Sequence, residues 1–355
     1  MVISRTPFRV SFFGGGTDYP AWYRQNGGCV IAATINKYCY LTCRYLPPFF
    51  EHRIRVVYSK IEDCLTVDQI KHPSVRETLR YLKFERGLEI HHDGDLPGRS
   101  GMGSSSAFTV GLLHGLRALQ GQMMGKRQLA AESIRIEQEL LQETVGSQDQ
   151  VCAAYGGLNL IQFHRNDDFS VRPVTTSPAR IADLQSCLML FYTGIKRTAS
   201  TIAASYVTNM DAKAAVLKRF MNMVEESVAI LNGDQPLHRF GELLDEAWTA
   251  KRSLGGMISN SLVDTHYAAA RGAGALGGKL LGAGGGGFLL LFVPPERQAA
   301  VRAALTRLIE APFEFEGNGS QIIFYDPQED FAKQDQARLA REIDAFQELD
   351  GGTAP

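Results

Sequence analysis

The feature that most constrains this 355-residue chain is the placement of its glycines. The chain has 35 glycines, whereas an average usage of about 7% would give about 25. Fifteen of them fall in three clusters, at 14–16, at Gly98, Gly101 and Gly103, and at nine positions from Gly272 to Gly287. Glycine is costly inside helices and strands, so clusters of it indicate backbone positions that other residues occupy poorly. We therefore expect three conformationally demanding loops.

Charge and hydropathy exclude several classes of protein. Lys plus Arg is 37 and Asp plus Glu is 38, so the net charge is −1 and the basic surplus of a nucleic-acid binder is absent. The N-terminus lacks the apolar core of a signal peptide, and no stretch reaches the 18 apolar residues of a membrane span. The six cysteines form no CxxC pair and no zinc spacing. We expect a cytoplasmic protein with buried free thiols and no nucleic-acid or membrane partner.

The order of predicted elements indicates an α+β fold in two domains. Strands predominate early, at 8–13, 29–34, 39–44, 54–58 and 88–92, and two helices follow at 104–119 and 127–143. Beyond strands at 158–163 and 187–192 the pattern turns helical, over 198–231, 237–254 and 261–271. Near the C-terminus we expect a strand at 288–293, a helix at 296–309, a strand at 321–324 and a last charged helix. We place the domains at 1–185 and 186–350.

The second glycine cluster predicts a phosphate-binding loop. It lies between a strand and a helix, in the run Leu96-Pro-Gly-Arg-Ser-Gly-Met-Gly-Ser-Ser-Ser-Ala107. Such a loop can turn several N–H groups toward one point, and the helix start adds its unpaired N–H groups and the positive end of its dipole. Together they favour phosphate. The serines can cap the helix, and one hydroxyl can reach a metal ion; a glycine-rich turn with serine caps and no ligand is the alternative.

Three familiar nucleotide signatures do not fit this chain. The Walker loop requires a lysine, and none lies between Pro97 and Ala107. The run Gly282-Ala-Gly-Gly-Gly-Gly287 spells GxGxxG, but it leads into an apolar strand rather than the helix that a dinucleotide fold needs. The HRD and DFG signatures of protein kinases are absent from the sequence. A Rossmann oxidoreductase and a protein kinase are therefore excluded.

Two carboxylates are candidates for phosphoryl-transfer chemistry. Asp149 lies in a short turn, Val145-Gly-Ser-Gln-Asp-Gln-Val151, and Glu137 precedes it by twelve residues. Mg²⁺ is typically held by one or two protein oxygens plus the phosphates, which Glu137 and a serine hydroxyl of the loop can supply. A second carboxylate can accept the proton of an attacking hydroxyl, and Asp149 fits that role. Glu139 and Glu143 compete with Glu137, and each carboxylate can equally be a cap or a solvated charge.

The three glycine segments, in this order, resemble the three motifs of the GHMP small-molecule kinases (galactokinase, homoserine kinase, mevalonate kinase and phosphomevalonate kinase). The first, Pro7-Phe-Arg-Val-Ser-Phe-Phe-Gly-Gly-Gly-Thr-Asp-Tyr-Pro20, resembles the sugar-kinase form of the N-terminal motif. The second is the loop at 96–107 with its Gly-Ser-Ser core, and the third is Lys279-Leu-Leu-Gly-Ala-Gly-Gly-Gly-Gly-Phe288. Gly-Ser-Gln-Asp-Gln and Tyr192-Thr-Gly-Ile-Lys-Arg-Thr-Ala199 further resemble the D-glycero-D-manno-heptose 7-phosphate kinase group.

This resemblance implies a fold and an active site. The fold is the two-domain GHMP architecture, with an N-terminal domain like domain 2 of ribosomal protein S5, a helix-rich ferredoxin-like C-terminal domain and the active site in the cleft between them. Asp149 matches the catalytic Asp, and Arg9 matches the Arg that favours its anionic form. Ser105 and Glu137 match the Mg²⁺ ligands. Because Ser106 stands where many members have Ala, the sequence leaves open which of the two serines binds the metal.

The resemblance also implies binding residues. Those expected to hold ATP are Pro97, Gly98, Ser100, Gly101, Met102, Gly103, Ser104, Ser105 and Ser106. Those expected at the sugar are Gly15, Gly16, Thr17, Asp18, Gly284, Gly285 and Gly286, with Asp18 matching the Asp that binds sugar hydroxyls. A remote substrate phosphate needs cations, for which the candidates are Lys196, Arg197, Lys37 and Arg44. Lys196 and Arg197 lead because they stand where a strand ends and a helix starts, and plain surface charges are the alternative.

The implied reaction is ATP-dependent phosphorylation of the anomeric hydroxyl of heptose 7-phosphate to the 1,7-bisphosphate, for lipopolysaccharide or capsule in a bacterial cytoplasm. The implied partners are ATP, Mg²⁺ and the sugar phosphate, with a homodimer left open. The alternatives are a kinase of an unphosphorylated fucose- or galactose-type sugar and a non-catalytic sugar sensor on the same fold.

Overall fold

The structure is a computed structural model that describes residues 1–195, 213–326 and 330–341. Two of the residues predicted to bind the substrate phosphate, Lys196 and Arg197, lie outside these ranges. So does the first part of the helix predicted over 198–231, whose described part covers Ala214–Asn232.

An eight-stranded sheet contains the N-terminal strands. Its strands are β1 (Val2–Phe13), β2 (Gly28–Tyr45), β3 (Ile54–Val57), β4 (Ile61–Cys64), β5 (Leu88–Gly94), β6 (Leu158–Phe163), β7 (Phe169–Pro173) and β12 (Gln321–Tyr325). The order along the sheet is β12-β1-β2-β5-β3-β4, and β6 and β7 extend the sheet beside the first part of β2. The sheet is antiparallel except for the parallel pair β3–β5.

The prediction of separate strands at 29–34 and 39–44 is wrong, because one 18-residue strand covers both. The first part of β2 pairs with β6 and its second part pairs with β5, while β1 runs beside both parts. A register shift in β1 between Pro7 and Phe8 lies opposite the expected break. Pairing on both sides therefore overrides the local turn signal of Asn36.

Six helices accompany this sheet: α1 (Pro20–Asn26), α2 (Pro73–Tyr81), α3 (Ser104–Leu119), α4 (Lys126–Arg135), α5 (Gln148–Tyr155) and α6 (Pro178–Ser186). Helix α3 has the predicted bounds and packs across β1 and β2. The helix predicted at 127–143 is wrong in its second part, because α4 ends at Arg135 and one π-helical turn, Ile136–Leu140, follows. This turn carries Glu137, and π turns inside helices occur frequently at functional sites.

The second sheet has four antiparallel strands, β8 (Leu188–Tyr192), β9 (Gly277–Leu280), β10 (Phe288–Phe292) and β11 (Ile309–Glu310). Their order is β11-β8-β10-β9. The described helices here are α7 (Ala214–Asn232), α8 (His238–Arg252), α9 (Ser261–Gly272), α10 (Gln298–Ala304) and, beyond β12, α11 (Ala332–Leu339). Helices between β8 and β9 and one between β10 and β11 give the βαββαβ order of a ferredoxin-like unit. The α+β prediction is confirmed.

The two sheets share one hydrophobic core. Phe12 and Phe13 of β1 both pack edge-on against Phe240 of α8. The chain then returns from the second sheet to the first, where β12 pairs with β1. Five of the six cysteines are buried and all six are free, as predicted. Within the described residues no helix is both long and apolar enough to cross a membrane.

Candidate active site

The loop at 96–107 leads from β5 into α3, as the sequence predicts. Gly101 and Gly103 both have positive φ, at 79° and 73°, a conformation that side chains other than glycine rarely adopt. Gly103 is the residue that precedes α3, so the prediction that the serines cap the helix is wrong. Ser104, Ser105 and Ser106 form the first turn instead, where their N–H groups have no intrahelical acceptor. The loop thus presents a helix start suited to an anion.

An ion pair with a buried arginine lies directly beside this loop. Arg9 of β1 donates from Nε and Nη2 to the two carboxylate oxygens of Asp149, both at 2.8 Å, and from Nη1 to the Gly101 carbonyl at 2.6 Å. Burial opposes the charge of Arg9, yet the Asp149 carboxylate raises the pKa of its guanidinium. A Cβ on Gly103 would lie 3.4 Å from Asp149 Oδ2. Asp149 therefore lies against the last glycine of the phosphate loop.

The second acidic group at the site is Asp18, which is 1% exposed. Its Oδ1 accepts from the Gly16 N–H at 2.8 Å, and its Oδ2 accepts from the Gln148 N–H at 3.3 Å. Burial raises the pKa of Asp18, against the Gly16 bond, and the negative charge of Asp149 acts in the same direction as burial. A Cβ on Gly146 would overlap the Asp18 carboxylate. Asp18 is thus held between the first glycine cluster and the turn that carries Asp149.

Two buried oxygens near Asp18 have no protein partner among the described residues. They are Ser11 Oγ and Gln148 Oε1. A Cβ on Gly15 would lie 3.8 Å both from Ser11 Oγ and from the Gln148 amide nitrogen, so the two side chains flank Gly15. A buried polar group normally has a hydrogen-bond partner. These two groups are therefore available to the hydroxyls of a ligand.

Glu137 is fully buried on the π turn and faces the start of α3. Its Oε2 accepts from Ser106 Oγ at 2.9 Å and from Gln150 Nε2 at 2.5 Å, whereas its Oε1 has no partner within the described part of the chain. Burial raises the pKa of Glu137 to about 7, against the bonds from Ser106 and Gln150. The contact is made by Ser106; Ser105, the serine predicted to bind the metal, is exposed. The metal role of Ser105 stays a prediction.

The third glycine cluster lies against the phosphate loop. A Cβ on Gly101 would lie 2.5 Å from the Leu281 carbonyl oxygen, and a Cβ on Gly287 would overlap the Ser100 carbonyl. The Phe288 N–H donates to the same Ser100 carbonyl at 3.2 Å. Gly284 and Gly285 contact Ile258, and Gly286 contacts Ile195. The C-terminal glycines therefore approach the phosphate loop closely. The role of Gly284, Gly285 and Gly286 in sugar binding stays a prediction.

Five further residues that were predicted to bind ATP or the substrate lie in different parts of the N-terminal half. Thr17 is buried, and its hydroxyl bonds to the carbonyls of Gly14 and Cys29, so its visible role is to hold the first glycine turn. Arg44 pairs with Glu89 at 2.5 Å on the first sheet. Pro97 and Gly98 lie on the outer part of the phosphate loop, and Met102 is fully buried beneath it.

Two lysines of the C-terminal half were missed by sequence reasoning. Lys251 of α8 donates to the Gly282 carbonyl at 2.5 Å, and buried Lys279 of β9 donates to the Phe12 carbonyl at 2.8 Å. Burial lowers the pKa of both lysines, to about 8 for Lys251, and the positive charge of Arg9 acts in the same direction. Nothing local in the sequence marks Lys251, since its approach to the site depends on the packing of α8 against β9.

Two family models match this chain. The model of the GHMP kinases N-terminal domain covers residues 71–157, which include the phosphate loop, Glu137 and Asp149. The model of the GHMP kinases C-terminal domain covers residues 228–311, which include Lys251 and the third glycine cluster.

Curated and solved relatives agree with these matches. D-glycero-alpha-D-manno-heptose 7-phosphate kinase of Campylobacter jejuni is 27% identical, over 86% of this chain and 93% of that protein. L-fucokinase/L-fucose-1-P guanylyltransferase of Bacteroides fragilis is also 27% identical, over 85% of this chain and 35% of that longer protein. The crystal structure of a D-glycero-D-manno-heptose 1-phosphate kinase from Bacteroides thetaiotaomicron superimposes with a TM-score of 0.74 at 25% identity, covering 91% of this chain and 99% of that one.

The family models, the relatives and the shared fold agree with the buried Arg9–Asp149 pair beside a phosphate loop. The chain therefore belongs to the GHMP kinase family and is an ATP-dependent phosphotransferase with that family's two-domain fold.

Proposed function

We propose that this enzyme transfers the γ-phosphoryl group of ATP to the anomeric hydroxyl of D-glycero-D-manno-heptose 7-phosphate, giving the 1,7-bisphosphate. The observation that carries the chemistry is the Arg9–Asp149 pair, buried on the arginine side and touching the last glycine of the phosphate loop. The heptose assignment is supported by the names of two relatives, although one name ends in 7-phosphate kinase and the other in 1-phosphate kinase.

In this reaction the hydroxyl oxygen forms a bond to the γ-phosphorus while the bond to the β–γ bridging oxygen breaks and ADP leaves. The hydroxyl proton passes to the Asp149 carboxylate, which lies between Arg9 and the loop. The backbone N–H groups at the start of α3 stabilise the charge on the phosphates. Positioning and electrostatic stabilisation account for most of phosphoryl transfer, and both come here from fixed groups.

Asp18 is proposed to orient the sugar. Its carboxylate is fixed by two backbone N–H groups, and Ser11 and Gln148 beside it have buried oxygens available for hydroxyls. A polyhydroxylated substrate fits such a set of polar groups better than an apolar one does, because unpaired buried groups cost free energy.

Glu137 and a serine of the loop are proposed to hold Mg²⁺. The buried, unpartnered Oε1 of Glu137 beside the phosphate loop fits this ion, which prefers one or two carboxylates together with phosphate oxygens. Bound there, Mg²⁺ neutralises charge on the phosphates.

Substitutions can show which of two serines, Ser105 or Ser106, helps to bind Mg²⁺. We expect Glu137→Gln and Ser106→Ala to raise the Mg²⁺ concentration for half-maximal activity by about 10-fold or more, because loss of a metal ligand or of a group that orients one typically lowers metal affinity by about 10–100-fold. Ser105→Ala is the matched comparison, measured by the same Mg²⁺ titration of ATP consumption. A shift confined to Ser105→Ala would instead assign the metal serine to Ser105.

The substrate is tested with a coupled ATP-consumption assay across a panel of sugars. The panel contains heptose 7-phosphate, heptose 1-phosphate, free heptose, fucose and galactose, each at several concentrations. We expect the highest kcat/KM with heptose 7-phosphate. Turnover of a free sugar without turnover of either heptose phosphate would remove the proposed substrate while leaving the kinase assignment intact.

A kinase of a fucose-type sugar is the second candidate. It is favoured by the match to 35% of the length of the bifunctional L-fucokinase/L-fucose-1-P guanylyltransferase, at the same 27% identity as the heptose kinase match. A non-catalytic sensor is disfavoured, because Asp149, Arg9 and Glu137 are all present and assembled. The lipopolysaccharide or capsule pathway, the cytoplasmic location and the homodimer stay proposals, the last open to light scattering.

A further inference from the structure

The phosphate loop carries little positive charge of its own. It has no lysine, and its arginine, Arg99, is exposed on the outer turn. The nearest buried cation, Arg9, already donates from three nitrogens to Asp149 and to the Gly101 carbonyl. Buried Lys279 donates to the Phe12 carbonyl. Within the described part of the chain, the two buried cations of the site, Arg9 and Lys279, are therefore already engaged in hydrogen bonds to protein oxygens.

Of the described residues, Lys251 is a further cation close to this site. It lies in the last turn of α8 and is half-buried. One hydrogen bond, to the Gly282 carbonyl at 2.5 Å, fixes its ammonium group. No carboxylate lies within 4.0 Å of it among the described residues, so its other N–H groups have no acidic partner there.

The Gly282 bond places Lys251 next to the phosphate loop. A Cβ on Gly282 would lie 2.6 Å from the Cα of Gly101, so these two backbones are in contact. The Gly101 carbonyl in turn accepts from Arg9. Burial lowers the pKa of Lys251, and the nearby charges of Arg9 and Asp18 act on it in opposite directions.

We propose that Lys251 binds a phosphate oxygen of a reactant across the cleft, so that the C-terminal half completes the charge of the active site. This inference rests on the proposed phosphotransferase reaction but not on the identity of the sugar. The phosphate belongs either to the transferred group of ATP or to the sugar phosphate. A fixed ammonium that meets the transferring group stabilises the charge on its oxygens.

Two substitutions of Lys251 test this role. Lys251→Met removes the charge and keeps most of the side-chain volume, and we expect kcat/KM to fall by about 10²–10³-fold. Lys251→Arg keeps the charge and should recover at least a tenth of the wild-type value. Lys126→Met is the matched control, because Lys126 also donates to a backbone carbonyl, that of Tyr155 at 2.8 Å, and lies outside the site.

The kinetic constants distinguish the two sources of phosphate. A fall in kcat that is equal for heptose 7-phosphate and free heptose identifies the transferred group. A rise in KM confined to heptose 7-phosphate identifies the sugar phosphate. Values within threefold of wild type for both, or a loss that follows the thermal unfolding midpoint and is not rescued by arginine, would overturn the proposal.

The test of Lys251 does not depend on whether the heptose assignment is correct. The variants are assayed on whichever sugar the wild-type enzyme phosphorylates best. A wild-type enzyme that turns over a different sugar contradicts the heptose assignment, while the Lys251→Met effect on that sugar still decides the role of Lys251.

Discussion

The side chain of Asp149 lies where the main groups of the candidate site meet. Its two oxygens are both bonded to Arg9, its neighbour Gln148 bonds Asp18, and Gly103 of the phosphate loop lies against it. A carboxylate with these surroundings has a fixed orientation beside the phosphate loop. Proton acceptance therefore needs no rearrangement of the site.

Replacing Asp149 by Asn removes the proton acceptor and keeps the shape of the side chain. We expect Asp149→Asn to lower kcat by about 10²–10⁴-fold, the usual contribution of general base catalysis, with the Kd for an ATP analogue changed little. A coupled assay of ADP release measures kcat, and calorimetric titration measures the Kd for the ATP analogue. Because Arg9 loses its partner, the thermal midpoint serves as the control for folding. Turnover close to wild type would show that Asp149 is not the base.

The proposed role of Lys251 predicts a pH dependence of the reaction. Burial lowers this pKa to about 8, so the ammonium form predominates below that pH and is lost as the pH rises through it. We expect the kcat/KM of the free enzyme to fall above pH 8. In Lys251→Arg the falling limb should move up by at least one pH unit, since a guanidinium stays protonated there. If kcat/KM fell at the same pH in both enzymes, the fall would be due to the titration of another group.

At the scale of elements, the site depends on loops that glycine alone can form. Gly101 and Gly287 have φ values of 79° and 106°, and each lies against backbone of the opposite loop. The π turn after α4 has a comparable effect, because it places Glu137 inward at the start of α3.

A methyl group at Gly287 should separate the two loops. Gly287→Ala would place Cβ on the Ser100 carbonyl at a strained φ, and we expect a cost of about 2–4 kcal/mol in unfolding free energy together with a large loss of activity. Gly272→Ala is the control, because nothing lies within 4 Å of its Cβ and its φ is not positive. Chemical denaturation measures both. Equal stability of the two variants would contradict the close approach of the loops.

How far the sequence predicts these elements depends on the kind of signal. The bounds of α3 and β6 follow from hydrophobic periodicity and agree with the structure. The single strand β2 does not follow from local sequence patterns. Pairing with the strands β1, β5 and β6 keeps it extended through the local turn signal of Asn36. Of the site, glycine clusters and motif resemblance identify Arg9, Asp18 and Asp149. The positions of Gly146 and Lys251 depend on contacts between distant segments, which local patterns do not encode.

At the scale of the whole molecule, the predicted boundary at residue 185 does not coincide with the sheets. Strand β12 comes from residues 321–325 yet forms the edge of the first sheet beside β1, and the Thr34 and Glu316 backbones are hydrogen bonded. Phe240 of α8 also covers Phe12 and Phe13.

The fragment 1–185 should therefore fail to fold alone. Without the later residues it exposes one edge of β1 and the aromatic contact of Phe12, and exposed strand edges favour aggregation. Size-exclusion chromatography of this fragment, with and without coexpressed 186–355, measures the effect. We expect soluble complex only on coexpression; a soluble, cooperatively unfolding 1–185 would support the boundary as an autonomous domain limit.

The proposed reaction is phosphorylation of the anomeric hydroxyl of a heptose phosphate. Phosphorus NMR of a reaction containing the enzyme, ATP, Mg²⁺ and heptose 7-phosphate tests it most directly. We expect a second sugar phosphorus signal that couples to the anomeric proton, with ADP in equal amount, and both forming about 10²–10⁴-fold more slowly with Asp149→Asn. ATP left intact, or phosphate released to water or attached to another hydroxyl, would contradict it.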